Sequence, residues 1–211
     1  MILYPDMTKS ISAANELLSK QKHIMPIIEL TKMDFGDKQI VFDTLQSFAR
    51  ITDMPLSILL HDRQSPLRDG ITIYHKKEDL HIVLYNEDVK MKERLRWTLA
   101  HEVGHVLLRH IEDGDKEELE ANAFAAQLLM PWFTIRMMGN IRKPSAQHIA
   151  KTFGVSIAAA NNRIMDLQKM NMRPSFADKL IYSKQRQYIK EEPHEAIPID
   201  ILNKIIVASN R

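Results

Sequence analysis

The segment His101-Glu102-Val103-Gly104-His105 constrains this 211-residue chain more than any other. Two imidazoles four residues apart share one face of an α-helix, one turn apart, where both can grip a single ion. The flanking pattern agrees with a helix. Leu95, Thr98, Leu99, Glu102, His105, Val106 and Leu108 ride one periodic stretch that ends near His110. Glu102 is rotated by about 100° from His101, so it can reach a metal-bound water without itself coordinating the metal. With this chain's own usage of His and Glu, the pattern would arise by chance about 2% of the time.

Composition narrows the chemistry. The chain has no cysteine, which removes disulfides, thiolate-held zinc and a cysteine nucleophile. Any metal must sit on His and carboxylate. Formal net charge is +2, too weak to argue for nucleic acid by bulk electrostatics. Hydrophobic residues make up 45% and charged residues 27%, a balance that supports a globular core. Residues 1–10 contain Pro5 and Asp6 where a secretory segment needs an apolar stretch. No apolar run approaches the roughly 18 residues of a membrane helix. The expectation is a cytoplasmic protein with no membrane partner.

The elements around the motif suggest an α+β fold. It is read as mainly helical, with a small three-stranded sheet packed against the motif helix and a helix-turn-helix-like segment after it. Helices are predicted over 8–21, where Ile11, Ala14, Leu17 and Leu18 form a stripe, and over 39–51, through Val41, Leu45, Phe48 and Ala49. The three strands are read at Leu56–Leu60, Gly70–His75 and Leu80–Tyr85, the last two joined by a hairpin turn at 76–79. A helix from about Lys116 to Met130 follows the motif and stops at Pro131. Ser145 and Ser156 are predicted N-caps of two more helices, with Gly154 between them. Beyond Met172 the pattern is mixed, with a last short helix at 199–207. The expected division is a zinc peptidase domain at 1–135, a helical subdomain at 136–172 and a C-terminal extension at 173–211.

A third ligand should come from the helix after the motif, whose start offers Glu117, Glu118 and Glu120. Glu118 is the first choice and Glu120 the second. Glu118 shares a face with Ala121, Asn122 and Ala125, small residues that can pack close to the metal helix. Asn122 suits a role orienting a ligand histidine by hydrogen bond. Glu117 reads as a complement to the helix dipole. His110, five residues after His105, points away on a straight helix and reads as a solvated helix-end residue. All-histidine sites of this kind need Gly and His where the chain has Leu108 and Ile111.

The stretches RLRWTLAHEVGHVLLRH (94–110) and ELEANAFAAQLLMP (118–131) resemble the ImmA/IrrE-like metallopeptidase family. The match is strong from about 80 to 131 and consistent over 39–79 and 144–169. The resemblance implies a gluzincin-like fold with one zinc ion on His101, His105 and Glu118, and Glu102 as general base. It also implies site-specific cutting of a helix-turn-helix repressor in a mobile element or stress response. Such a peptide would pair along an exposed strand edge, expected at Leu80–Tyr85. Tyr74, Tyr85, His81 and His148 stand as undiscriminated candidates for an oxyanion donor.

The segment 147–167 has the Ala150, Gly154 and Val155 spacing of a helix-turn-helix. Its second helix offers Asn161, Asn162 and Arg163 to DNA, but also three alanines, Ala158 to Ala160. It is read as a packing unit or a repressor-docking surface rather than a DNA reader. The competing function is a regulatory module of the same fold that sequesters a repressor without cutting it, or that binds DNA. The intact Glu102 favours the peptidase, because a purely structural metal site needs no base.

Overall fold

The computed structural model describes residues 5–61, 69–111, 114–139 and 144–189. The predicted helix 199–207 lies outside them. The described chain is α+β and mainly helical. Helix α1 (Met7–Lys20) starts at Asp6, whose side chain accepts the Lys9 amide. It buries the predicted stripe Ile11, Ala14, Leu17 and Leu18.

The sheet has three strands, though one is not where the apolar spacing put it. Strand β1 is Gln39–Thr44, within the predicted helix 39–51. Only its second half is helical, as α2 (Leu45–Thr52). The stretch Ile40-Val41-Phe42 suits extended backbone, and β1 finds a parallel partner along its whole length. Thr44 then caps α2 by accepting the Ser47 amide. The predicted strand at Leu56–Leu60 is instead a short helix, α3. Pro55 fixes its entry at φ −58°, and Leu59 packs with Leu45, Ala49 and Leu84 in a small second core.

Strands β2 (Gly70–His75) and β3 (Leu80–Tyr85) form the expected antiparallel hairpin. The order is β1-β3-β2, so β3 is central and both its edges are paired. A peptide therefore cannot add along Leu80–Tyr85. The edge strand beside the motif helix is β2.

Helix α4 (Lys92–Leu108) carries the motif and lies against β2, β3 and α5 (Asp115–Leu129). After Pro131 come α6 (Trp132–Met138), α7 (Ala146–Phe153), α8 (Ile157–Lys169) and α9 (Phe176–Gln185). Ser145 and Ser156 cap α7 and α8 as predicted. Helix α9 falls in the stretch read as mixed. Its start is a reciprocal cap in which Ser175 accepts the Asp178 amide and Asp178 accepts the Ser175 amide.

One apolar cluster joins Leu18 of α1, Val103 of α4, Phe124 and Leu128 of α5, Ile149 and Phe153 of α7, Ala160 of α8 and Ile181 of α9. A buried polar chain crosses the same region. Asn15 donates to Asp178 and accepts from Gln127, and Arg163 donates to Gln127 and to the Met130 carbonyl. Among the described residues no helix is long and apolar enough to cross a membrane.

Candidate metal centre

Helices α4 and α5 must approach closely for residues on both to share one ion, and Gly104 permits this. A Cβ at Gly104 would lie 3.1 Å from the Phe124 ring and 3.3 Å from both the Cα and the carbonyl oxygen of Ala121. The small residue between the histidines therefore meets the small stripe of α5, and Glu118, one turn before Ala121, is carried up to the two rings. Gly70 has a similar part on the other side. A Cβ there would collide with Thr98 and approach Glu102, so β2 can run close over α4.

The result is a cluster of three donors. His101 Nε2 and His105 Nε2 are 3.0 Å apart. Glu118 places one carboxylate oxygen 3.3 Å from the first and the other 3.4 Å from the second. These residues form the one group among the described residues with the composition and spacing to hold a metal ion. The distances fit zinc: with bonds of about 2.0–2.1 Å, tetrahedral ligand atoms stand roughly 3.3 Å apart. Both rings are largely buried, while the Glu118 side chain is 38% exposed. The donors therefore line the floor of a cleft of about 890 Å³.

Electrostatics favours a cation here. Burial pulls His101 towards its neutral form, but its hydrogen bond to Glu118, the charges of Glu102 and Glu118 and the contact with Asn122 outweigh that and raise its pKa. The hydrogen bond with His101 holds the Glu118 carboxyl below its ordinary value, against burial and with the help of charge on His101, His105 and His110.

The outer nitrogens are held as well. His101 Nδ1 lies 3.1 Å from Asn122 Oδ1, the contact expected of an orienting residue. His105 Nδ1 lies 3.0 Å from His110 Nδ1. His110 is thus no solvated helix end; its side chain is only 6% exposed and its Nε2 is 3.1 Å from Glu120 Oε2. The straight-helix expectation fails because α4 stops at Leu108. Arg109 takes a left-handed conformation at φ 60°, and the His110 amide donates back to the His105 carbonyl. A non-glycine residue in that region costs on the order of 1 kcal/mol, and no sequence pattern announces it.

Glu102 faces the same cleft, and Thr72 of β2 donates its hydroxyl to Glu102 Oε2 at 2.9 Å. Sequence reasoning passed over Thr72, which is distant in the chain and belongs to no motif. Of the four oxyanion candidates, Tyr74 and His81 line the cleft, stacked with centroids 4.8 Å apart, whereas Tyr85 and His148 do not line it. Glu120, the second choice for a ligand, is buried behind the site rather than in the donor cluster. Glu117 bridges to Lys116.

Residues 26–165 match the peptidase family M78, described as the IrrE N-terminal-like domain. No curated protein matches the chain.

Proposed function

Because the chain belongs to the IrrE N-terminal-like peptidase family, we propose that it is a zinc metalloendopeptidase that cuts a helix-turn-helix repressor at a specific site in the cytoplasm. The observation that carries this reading is the donor triangle of His101, His105 and Glu118, with edges of 3.0–3.4 Å, beside a separate carboxylate on Glu102. Held by His101, His105 and Glu118, a zinc ion would supply Lewis acidity to the scissile carbonyl. Glu102 would take a proton from the attacking water as general base and pass it to the leaving amine. Thr72 aims the Glu102 carboxylate by its hydroxyl. Asn122 keeps the His101 ring turned with Nε2 towards the cleft.

The substrate would lie extended along β2, whose residues Gly70, Ile71, Thr72 and Tyr74 line the cleft and whose outer backbone edge adds a strand. On this reading residues 1–135 carry the chemistry, 136–172 form the docking surface for the repressor and 173–211 are an extension. Burial of Arg163 against Met130 and Gln127 supports the docking role over DNA reading, since that guanidinium is turned into the protein. Its pKa is lowered to about 10 by burial, so it stays charged at neutral pH.

The test is incubation of the protein with a helix-turn-helix repressor encoded beside it, with and without chelator. Chelator should abolish cleavage, and Glu102→Gln should lower turnover at least about 100-fold while zinc remains bound. Binding without cleavage, indifferent to Glu102→Gln, would favour sequestration instead. Retention of DNA with a steep salt dependence would favour a DNA-binding regulator.

A further inference from the structure

We infer that His110 and Glu120 are positioning residues, forming a relay that fixes the tautomer and ring orientation of His105. The inference rests on the reading of His101, His105 and Glu118 as the metal donors.

The direction of the hydrogen bonds follows from Glu120. The Glu120 carboxylate oxygens face donors: Oε1 accepts the Asp6 amide at 2.7 Å and lies 3.6 Å from Lys116 Nζ. Glu120 Oε2 lies 3.1 Å from His110 Nε2, so that nitrogen carries the proton. Two ring nitrogens in contact need one donor and one acceptor, and with Nε2 of His110 turned to Glu120 the acceptor is His110 Nδ1. The atom facing it at 3.0 Å is His105 Nδ1, which must therefore be the N–H. This leaves the lone pair of His105 on Nε2, the atom directed at His101 Nε2 and Glu118. A carboxylate two hydrogen bonds away thus selects the donor atom of a metal ligand. Asn122 does for His101 in one step what His110 and Glu120 do for His105 in two.

The relay is anchored outside the matched stretch. Glu120 Oε1 accepts the Asp6 amide at 2.7 Å and lies 3.6 Å from Lys116 Nζ. Asp6 is the cap of α1, which precedes residue 26 and packs along α5. The first helix therefore completes a support for the metal site from a part of the chain to which the family match does not extend.

Three variants of the full chain test this: His110→Leu, His110→Gln and Glu120→Gln. Leu fills the space but accepts nothing. Gln at 110 offers an amide oxygen to His105, as Asn122 does to His101. Gln at 120 sets an NH₂ against either the Asp6 amide or the His110 ring. Zinc affinity is read by competition with a chromophoric chelator. The His105 ring N–H is read by ¹H–¹⁵N NMR of the zinc-loaded, histidine-labelled protein.

His110→Leu should weaken zinc binding about 10–100-fold and expose the His105 Nδ1–H to fast solvent exchange, and Glu120→Gln should weaken binding about 10-fold. His110→Gln should restore affinity to within about threefold of the parent, which loss of packing alone would not predict. Parental affinity and an unchanged His105 N–H in His110→Leu would overturn the relay. If that variant does not fold, the same two results in Glu120→Gln overturn it. Failure of the underlying reading looks different: the parent would bind no single zinc equivalent, or Glu118→Gln would bind as tightly as the parent, and the relay falls with it.

Discussion

Thr72 and Glu102 lie thirty residues apart in the chain and 2.9 Å apart in space. A hydrogen bond to a charged group contributes about 1.5–3 kcal/mol, so its loss is large enough to measure in turnover. Thr72→Val keeps the shape and removes the donor. It should reduce kcat about tenfold with zinc affinity unchanged, and Thr72→Ser should recover most of the activity. Equal turnover in Val and Thr forms would mean the hydroxyl does not aim the base. His101 and Glu118 give a second prediction, for protein held in chelator. The folded pKa of Glu118 is depressed, chiefly by its hydrogen bond with His101. Its contribution to stability is therefore full above the unfolded value and lost as pH falls through the folded one. The folded pKa of His101 is raised, because its partners overcome the burial that would lower it. Its contribution is full below the unfolded value and lost as pH rises through the folded one. The Tm advantage of the parent over Glu118→Gln in chelator should therefore peak at about pH 5–6. A difference that rises steadily to pH 9 would contradict the pairing.

Helix α4 depends on its neighbour through Gly104. Gly104→Ala gains about 1 kcal/mol of helix propensity, but its methyl would stand 3.3 Å from Ala121 backbone atoms that cannot rotate away. Overpacking of that kind costs about 1–3 kcal/mol, so a net loss of up to about 2 kcal/mol is expected, together with weaker zinc binding as α5 shifts Glu118 outward. Calorimetry and metal titration read the two effects separately; a variant more stable than the parent with full zinc affinity would refute the close-approach argument. Much of this element pair was readable in the sequence. Spacing put His101 and His105 on one face, and the small stripe Ala121, Asn122 and Ala125 marked the face of α5 that approaches. Element type failed where one apolar series served two structures. Val41, Leu45 and Ala49 are spaced as on a helix, yet the chain changes from strand to helix at Thr44, a choice made by pairing with β3. Leu56–Leu60 is a run of five residues, four of them apolar, too short for periodicity to separate a strand from one helical turn. The fate of His110 turned on the backbone of Arg109, which took a left-handed conformation that arginine does not favour.

Across the whole molecule, the site is held from behind by helices that are distant in sequence. Helix α5 carries Glu118 and Asn122 on one side and packs against α1 on another. Helix α1 in turn meets α9, where Asn15 donates to Asp178 at 2.9 Å. Lys184 of α9 donates to the carbonyls of Ser19 and Gln21 at the end of α1. Ile181 of α9 is fully buried in the same apolar cluster as Leu18 and Phe124. Helix α9 is thus structural support for α1, and α1 for α5, although α9 contributes no side chain to the cleft. Ile181→Ala should then cost about 2–5 kcal/mol, and at about 2–4 °C per kcal/mol for a chain of this size lower Tm by roughly 5–15 °C. At 25 °C, where the fold persists, zinc affinity and cleavage rate should stay near parental, because the donor triangle is untouched. Thermal unfolding followed by far-ultraviolet circular dichroism and by zinc release should show the two signals moving down together. A variant in which zinc is released at the parental temperature while the α9 region melts early would mean that α9 unfolds as a separate unit and does not brace the metal helices.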